Sequence, residues 1–461
     1  MKMQNRILQN TLIASTLLIA SMATSPLMAK VDDAQAKKLG AELTIVGAEA
    51  AANADGTIPA YTGGITEAPA CYTGGSFLCN PFPDDKPLFV ITAANAEEYK
   101  DKLSAGQLAM FKTYPDTYTM PVYQSRRTAS LPTSVLDATK ENAAKTTLAS
   151  GGFGLKDYTV RGYPFPIPND GNEAIWNHIV RYRGEAASRI TGQATPQVNG
   201  AFNVVIFQDE FSFRHGLKDM APGKDENVLF YFKQKVKSPA RLAGNVLLVH
   251  ETIDQVKEPR KAWVYNAGQR RVRRAPQVAY DGPGTAADGL RTTDNFDMYN
   301  GATDRYDWTL VGKKEMYIPY NNYKLDEKGL KYKDIIHAGH INPEYTRHEL
   351  HRVWVVEAKL KSGTRHVYGA RTFYIDEDTW QIAIIDHYDG RGNLWRVAQA
   401  YEMLYYQAQV PWYALETLYD LNAKRYLALG LENEEPVGVV FDKRYSSVEY
   451  KPAALRQSGV R

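Results

Sequence analysis

The sequence predicts an α+β protein whose body is an antiparallel meander of strands, preceded by a helical and coiled segment. Three observations carry this. Val228, Phe230 and Phe232 alternate at a period of two with Leu229, Tyr231, Lys233 and Lys235. Tight turn signals such as Asp376-Glu377-Asp378-Thr379 and Asp389-Gly390-Arg391-Gly392-Asn393 join successive strand candidates. Several strands are apolar on both faces: His351, Val353 and Val355 on one, Trp354 and Val356 on the other. A sheet of that kind must be covered on both sides.

Residues 1–29 read as a cleaved signal peptide. Lys2 and Arg6 precede the apolar run Leu12 to Ala20, and Leu27-Met28-Ala29 ends on a small residue. The run is shorter than the ~20 apolar residues that a membrane-spanning helix needs. A retained N-terminal anchor is the alternative, but Ser25-Pro26 interrupts it. The expectation is a periplasmic protein that is not an integral membrane protein. Losing Lys2 and Arg6 takes the formal charge from +3 to +1, so no global charge calls for nucleic acid. The two cysteines, Cys71 and Cys79, suit a disulfide in an oxidising compartment. Their C-x7-C spacing is not that of a redox pair. The 30 tyrosines suit half-wet clefts and rims.

Residues 30–170 read as a wrap over the rest, not an independent domain. Asp32 to Ala52, Asn95 to Phe111 and Pro132 to Leu148 are expected to be helical. Asn53 to Pro87 is expected as coil, and Tyr163 to Pro168 as an extended segment. Residues 171–461 form the sheet domain. A short helix, Asn172 to Arg183, opens it. Strands follow at Val228 to Lys237, Val246 to Ile253, Lys261 to Arg274 (with a turn signal at Asn266-Ala267-Gly268), Arg352 to Lys361, Thr364 to Ile375 and Trp380 to Tyr388. Leu394 to Leu429 is expected to be mostly helical, with a break at Pro411, and the tail from Glu432 irregular.

Common catalytic signatures are missing: there is no G-x-S-x-G elbow, Walker loop, H-E-x-x-H or EF-hand loop. The expectation is a protein without catalysis and without a cofactor. The Asp376-Glu377-Asp378 carboxylates are expected at a solvated hairpin tip. His337, His340, His348 and His351 have a spacing that can furnish zinc ligands; surface or capping roles are the default. A zinc-dependent enzyme is therefore the third functional reading. Arg270, Arg271, Arg273 and Arg274 read either as a solvated edge or as a surface that docks an acidic partner or an anionic head group. Trp263, Tyr265, Trp308, Trp354, Val356, Phe373 and Trp395 are candidates to line an apolar cavity; residues of this kind also build ordinary cores.

Five stretches together carry a resemblance: Asp85 to Phe89 (DKPLF), Trp263 to Pro276 (WVYNAGQRRVRRAP), Asn300 to Trp308 (NGATDRYDW), Glu349 to Ala358 (ELHRVWVVEA) and Asp389 to Trp395 (DGRGNLW). From about Asp85 to Tyr450 the chain resembles a large proteobacterial family of unknown function described as outer-membrane lipoprotein-sorting-like. The resemblance implies a LolA/LolB-like fold: a strongly curved antiparallel β-sheet, an incomplete barrel, with helices over its concave side. It also implies a carrier or adaptor for a hydrophobic, lipid-like molecule in envelope transport. The alternative is an interaction subunit docking an outer-membrane protein or an inner-membrane exporter.

Overall fold

The computed structural model describes residues 33–221, 227–275 and 278–459. The predicted signal peptide lies outside the described residues. Seventeen strands run along the described residues. They are β1 (Phe89–Ile91), β2 (Met120–Tyr123), β3 (Thr147–Leu148), β4 (Leu155–Lys156), β5 (Ala186–Ala194), β6 (Val204–Phe213), β7 (Val228–Ser238), β8 (Val246–Thr252), β9 (Lys261–Asn266), β10 (Arg271–Arg274), β11 (Tyr306–Pro319), β12 (His348–Leu360), β13 (Ala370–Asp376), β14 (Ile382–Tyr388), β15 (Leu394–Tyr405), β16 (Val410–Asp420) and β17 (Arg425–Leu431). Fifteen of them form one open sheet in the order β1-β2-β12-β13-β14-β15-β16-β17-β5-β6-β7-β8-β9-β10, with β11 beside β12. All its pairings are antiparallel except the short one between β2 and β12. The last strand, β17, pairs with β5 and so joins the two meanders of the sheet. With its few short helices, this is an α+β fold.

The two apolar faces predicted for β12 are real. Val353 and Val355 enter one core; Val356 and Ala358 enter another, with Trp354 packed against it. Each face carries a helix. Gly171–Ile179 brings Ala174, Ile175, Trp176 and Ile179 to the Val356 core. Ala105–Thr113 brings Met110 and Phe111 to the Val353 core. That helix is fixed at its start by a capping box between Ser104 and Gln107. The segment read as a wrap also enters both cores, through Val46, Val135 and Tyr163 on one side and Ile58, Ile91 and Met120 on the other.

Three expectations are corrected. Leu394 to Leu429 is not helical; it holds β15, β16 and β17. These strands are buried on both faces, so apolar residues fall at nearly every position and erase the period of two. Asp32 to Ala52 is helical only over Asp33–Ala36. The chain instead turns through Gly40 and Gly47 at φ of 85° and 90°, and a Cβ at Gly47 would lie 1.7 Å from the Pro166 carbonyl oxygen. The tyrosines are not confined to rims. Tyr163, Tyr306 and Tyr323 are fully buried, with hydroxyls donating to backbone carbonyls of Thr379, Tyr368 and Leu404.

Candidate apolar binding site

On the face that carries the Val356 core, β7 and β8 present paired side chains. Phe232 lies opposite Val249, and Gln234 opposite Leu247. The other side of β8 sends Val246 and Leu248 into a third core with Tyr265, Tyr450 and Leu455. Val246 and Leu248 are fully buried there, whereas Leu247 and Val249 are only half-buried. The segment 278–300 crosses in front of them and leaves a hollow of about 80 Å³. Phe230, Phe232, Leu247, Val249, Val278 and Phe296 supply its apolar wall, and Gln234, Glu251, Arg260, Arg291 and Asn300 its polar groups.

Buried charges hold this crossing segment. Asp294 pairs with Arg371 at 2.6 Å and with His366 at 3.1 Å. Asp297 accepts from Arg181 at 2.6 Å and from Arg183. Burial alone would raise the Asp294 and Asp297 carboxyls, but the facing guanidiniums hold both far below the ordinary carboxylate range. The Met298 amide donates to Glu416 at 2.7 Å. Such pairs are costly to break singly, so they fix position firmly. The segment that roofs the hollow is therefore tied at Asp294, Asp297 and Met298. Wider surface hollows, of about 570 to 620 Å³, lie elsewhere, one of them around His337 and another beside the Cys71–Cys79 loop.

The seven aromatic and apolar candidates do not converge. Trp308, Trp354, Val356 and Phe373 belong to the large core. There the rings fill the space themselves: Trp308 is 5.7 Å from Phe373, and Trp354 stacks on Trp380 at 5.9 Å. Trp263 and Tyr265 sit in the third core on the opposite side of β9 and β10 from solvent. Trp395 packs on Tyr368 and donates to Asp420 at 3.0 Å. None of the seven lines the hollow between β7, β8 and segment 278–300. Sequence reading missed Leu247, Val249, Arg291 and Phe296. The signal for the first two was present as the two-faced start of Val246 to Ile253.

The four histidines do not gather into one ligand set, although His337 and His340 line the same surface hollow. His337 is exposed. His340 is buried between Thr117 and the Ile341 carbonyl, and His348 lies near Tyr401. His351 stacks on Tyr320 at 3.9 Å and bonds Glu349 at 3.0 Å. Ligand atoms of His351, Asp376 and Asp378 lie within 4.8 Å of one another. Both Asp378 oxygens, however, already accept from Arg127.

The expectation of a solvated acidic tip is overturned. Asp376, Glu377 and Asp378 are buried, at 0%, 2% and 4% exposure. The N-terminal segment covers them: Glu49 donates its amide to Glu377 at 3.2 Å, and Trp380 donates to the Val46 carbonyl at 2.9 Å. Lys313, Arg352 and Arg127 supply the opposing charge. These cations pair with Glu377 and Asp378, whereas Asp376 accepts from Thr379 instead.

Arg270, Arg271, Arg273 and Arg274 are exposed on the β9–β10 hairpin, whose strand β10 is a free edge of the sheet. Among the described residues no ion pair involves any of the four. The adjacent β7–β8 hairpin adds exposed Lys237 and Arg241, and the two tips meet where Asn245 accepts from the Ala267 amide at 3.0 Å. The Cys71–Cys79 disulfide is formed. Its loop docks through Cys79, whose amide donates to the Tyr406 hydroxyl at 3.0 Å. Among the described residues no helix is long and apolar enough to cross a membrane.

Comparison with known proteins sets this geometry in a family. The chain is 61% identical over 450 residues to "Uncharacterized protein PA3922" of Pseudomonas aeruginosa, covering 98% of this chain and 99% of that protein. The structure is similar to a DUF1329 family protein from Desulfovibrio piger, at 14% identity and a TM-score of 0.38, over 59% of this chain and 92% of that one. It is also similar to the LolA superfamily protein NE2245 from Nitrosomonas europaea, at 10% identity and a TM-score of 0.37, over 62% and 98% of the two chains. A family model described as "Protein of unknown function (DUF1329)" matches residues 90–456, so the chain belongs to that family, the one its sequence motifs resemble.

Proposed function

We propose that this protein is a periplasmic carrier that holds one hydrophobic, lipid-like molecule during transport between the membranes, without catalysis. The observation that carries the reading is the hollow between β7, β8 and segment 278–300, where Leu247 and Val249 stay only half-buried beneath a roof pinned by buried ion pairs. The opposite side of the same strand is closed by Tyr450 and Leu455. An apolar guest supplies the missing packing: each methylene removed from water contributes ~0.8 kcal/mol. In this reading the sheet is the curved, incomplete barrel that the resemblance implies, the guest sits on its inner side, and residues 30–170 are a wrap that stiffens it. The signal-like N-terminus and the disulfide support an oxidising, extracytoplasmic location. Release then relies on a competing acceptor. Native mass spectrometry and solvent extraction of protein purified from the envelope are expected to show one co-purifying amphiphile; protein that is uniformly empty and takes up none on incubation with membrane lipids rejects the proposal.

A second reading rests on the arginine hairpin. In it, Arg270, Arg271, Arg273 and Arg274 dock an acidic surface of an outer-membrane protein or exporter. Reversing all four to glutamate is expected to abolish co-purification with envelope partners while leaving thermal stability unchanged; an unaltered pull-down rejects it.

A further inference from the structure

Arg291 stands out among the buried cations. It is only 7% exposed, it lines the hollow, and neither its Nε nor its Nη1 has a hydrogen-bond partner among the described residues. Neighbouring buried arginines are all neutralised. Arg260 pairs with Glu251 at 2.6 Å and donates to the carbonyls of Val278 and Asn300. Arg189 pairs with Asp209 at 3.2 Å, and Arg371 with Asp294 at 2.6 Å. No ion pair within 4.0 Å involves Arg291 among the described residues. Its guanidinium lies 5.7 Å from the Phe296 ring.

A desolvated guanidinium without a counter-charge is expensive, and buried polar groups left unpaired call for an explanation. The acids that face it form no ion pair with it within 4.0 Å among the described residues. Glu416 is the strongest electrostatic neighbour, followed among acids by Asp209. Glu416 accepts from the Met298 amide at Oε1 while its Oε2 has no hydrogen-bond partner among the described residues, and burial followed by repulsion from Asp297 pushes its carboxyl up to about 7. Asp209 is engaged by Arg189 and Gln234. Glu251, the other acid of the hollow, is held by Arg260 and Asn300 through Oε2, and its Oε1 has no hydrogen-bond partner among the described residues. The hollow is thus amphipathic: an apolar wall from Phe230, Phe232, Leu247 and Val249, the paired Arg260 and Glu251, and Arg291 with two unpartnered nitrogens.

Resting on the carrier reading, we propose that Arg291 binds the carboxylate of the guest, and that the guest is a single-chain anionic amphiphile of the fatty-acid class. The hollow's 80 Å³ takes the head group and the first methylenes; the rest of the chain lies against the half-buried Leu247 and Val249. Arginine suits this role because its guanidinium stays charged and matches carboxylate oxygens.

The test compares oleate with methyl oleate on delipidated mature protein, wild type and Arg291→Met. Wild type is expected to bind oleate at least tenfold more tightly than methyl oleate. Arg291→Met is expected to lower oleate affinity to that of methyl oleate and leave methyl oleate unaffected. Without ligand, Arg291→Met is expected to melt no lower than wild type, because it removes an unpaired charge; added oleate then raises the melting temperature of wild type alone. Equal wild-type affinity for the two probes, or oleate binding unchanged in Arg291→Met, overturns the Arg291 assignment while the carrier reading stands. A large loss of melting temperature in the ligand-free variant also overturns it, since Arg291 would then be paired within the protein. Failure of both probes to bind removes the carrier reading as well.

Discussion

Arg127 holds Asp378 with two hydrogen bonds, Nε to Oδ2 at 2.9 Å and Nη2 to Oδ1 at 2.6 Å. The pair joins the N-terminal segment to the turn between β13 and β14, and both side chains are 2% exposed. Removing one partner strands a buried charge, which typically costs about 3–5 kcal/mol. Arg127→Met is therefore expected to lose several kcal/mol in urea unfolding. The double variant Arg127→Met with Asp378→Asn is expected to recover part of that loss, giving a coupling energy well above the scatter of independent sites. Additive losses would show that the pair does not tie the segment down.

The same turn gives the protein a pH response. Burial, and then the charge of Asp378, push the Asp376 carboxyl up to about 7 from its ordinary 3.8, with His351 opposing. Between those values the folded protein keeps a proton that the unfolded chain has released. Stability from this group is thus fully present below about pH 4, falls as pH rises, and levels off above about pH 7. Asn keeps the neutral form at all pH. Asp376→Asn is expected to match wild type near pH 4 and to exceed it by at least ~1 kcal/mol at pH 8. Buried histidines such as His178 slope the other way but are common to both proteins, so the difference isolates Asp376.

Much of the sheet was legible in the sequence because β7, β12 and β14 either alternate or sit between clear turns. Strands β15 to β17 were not, because burial on both faces removes the alternation that distinguishes strand from helix. Strands β6 and β11 were overlooked as well; charged residues such as Asp209, Glu210, Lys313 and Lys314 interrupt them. The acidic turn was misjudged for a different reason. Its solvent is displaced by Val46, Glu49 and Arg127, which lie hundreds of residues away in the chain, and no local pattern records that contact. The same holds for the hollow. Leu247 and Val249 were visible as apolar residues, but their partial exposure depends on how far segment 278–300 stands off the sheet.

The disulfide loop lies outside the part of the chain that the family model matches, and it rests on Tyr406 through both backbone groups of one residue: the Cys79 amide donates to the Tyr406 hydroxyl, which donates back to the Cys79 carbonyl at 3.2 Å. Closing a nine-residue loop stabilises by roughly 2–3 kcal/mol through the unfolded chain. Cys71→Ser with Cys79→Ser is expected to lose about that much, whereas Tyr406→Phe should lose about 1 kcal/mol. A disulfide-free variant as stable as wild type would mean that the loop is already ordered without its bond.

The hollow can be filled on purpose. Val249 is half-buried and faces the space in front of β8, while Val356 is 0% exposed in a packed core of the same face. A tryptophan at position 249 has room to enter the hollow, so Val249→Trp is expected to keep its melting temperature and lose the co-purifying amphiphile. The same enlargement at Val356 overpacks the core and should cost ~1–3 kcal/mol or more. The two variants separate ligand loss from damage to the fold: native mass spectrometry reads occupancy, and thermal unfolding reads packing. If Val249→Trp retains its full complement of bound amphiphile, the guest sits elsewhere, and the wider surface cleft lined by Leu43, Val46, Leu131 and Leu136 becomes the place to mutate next.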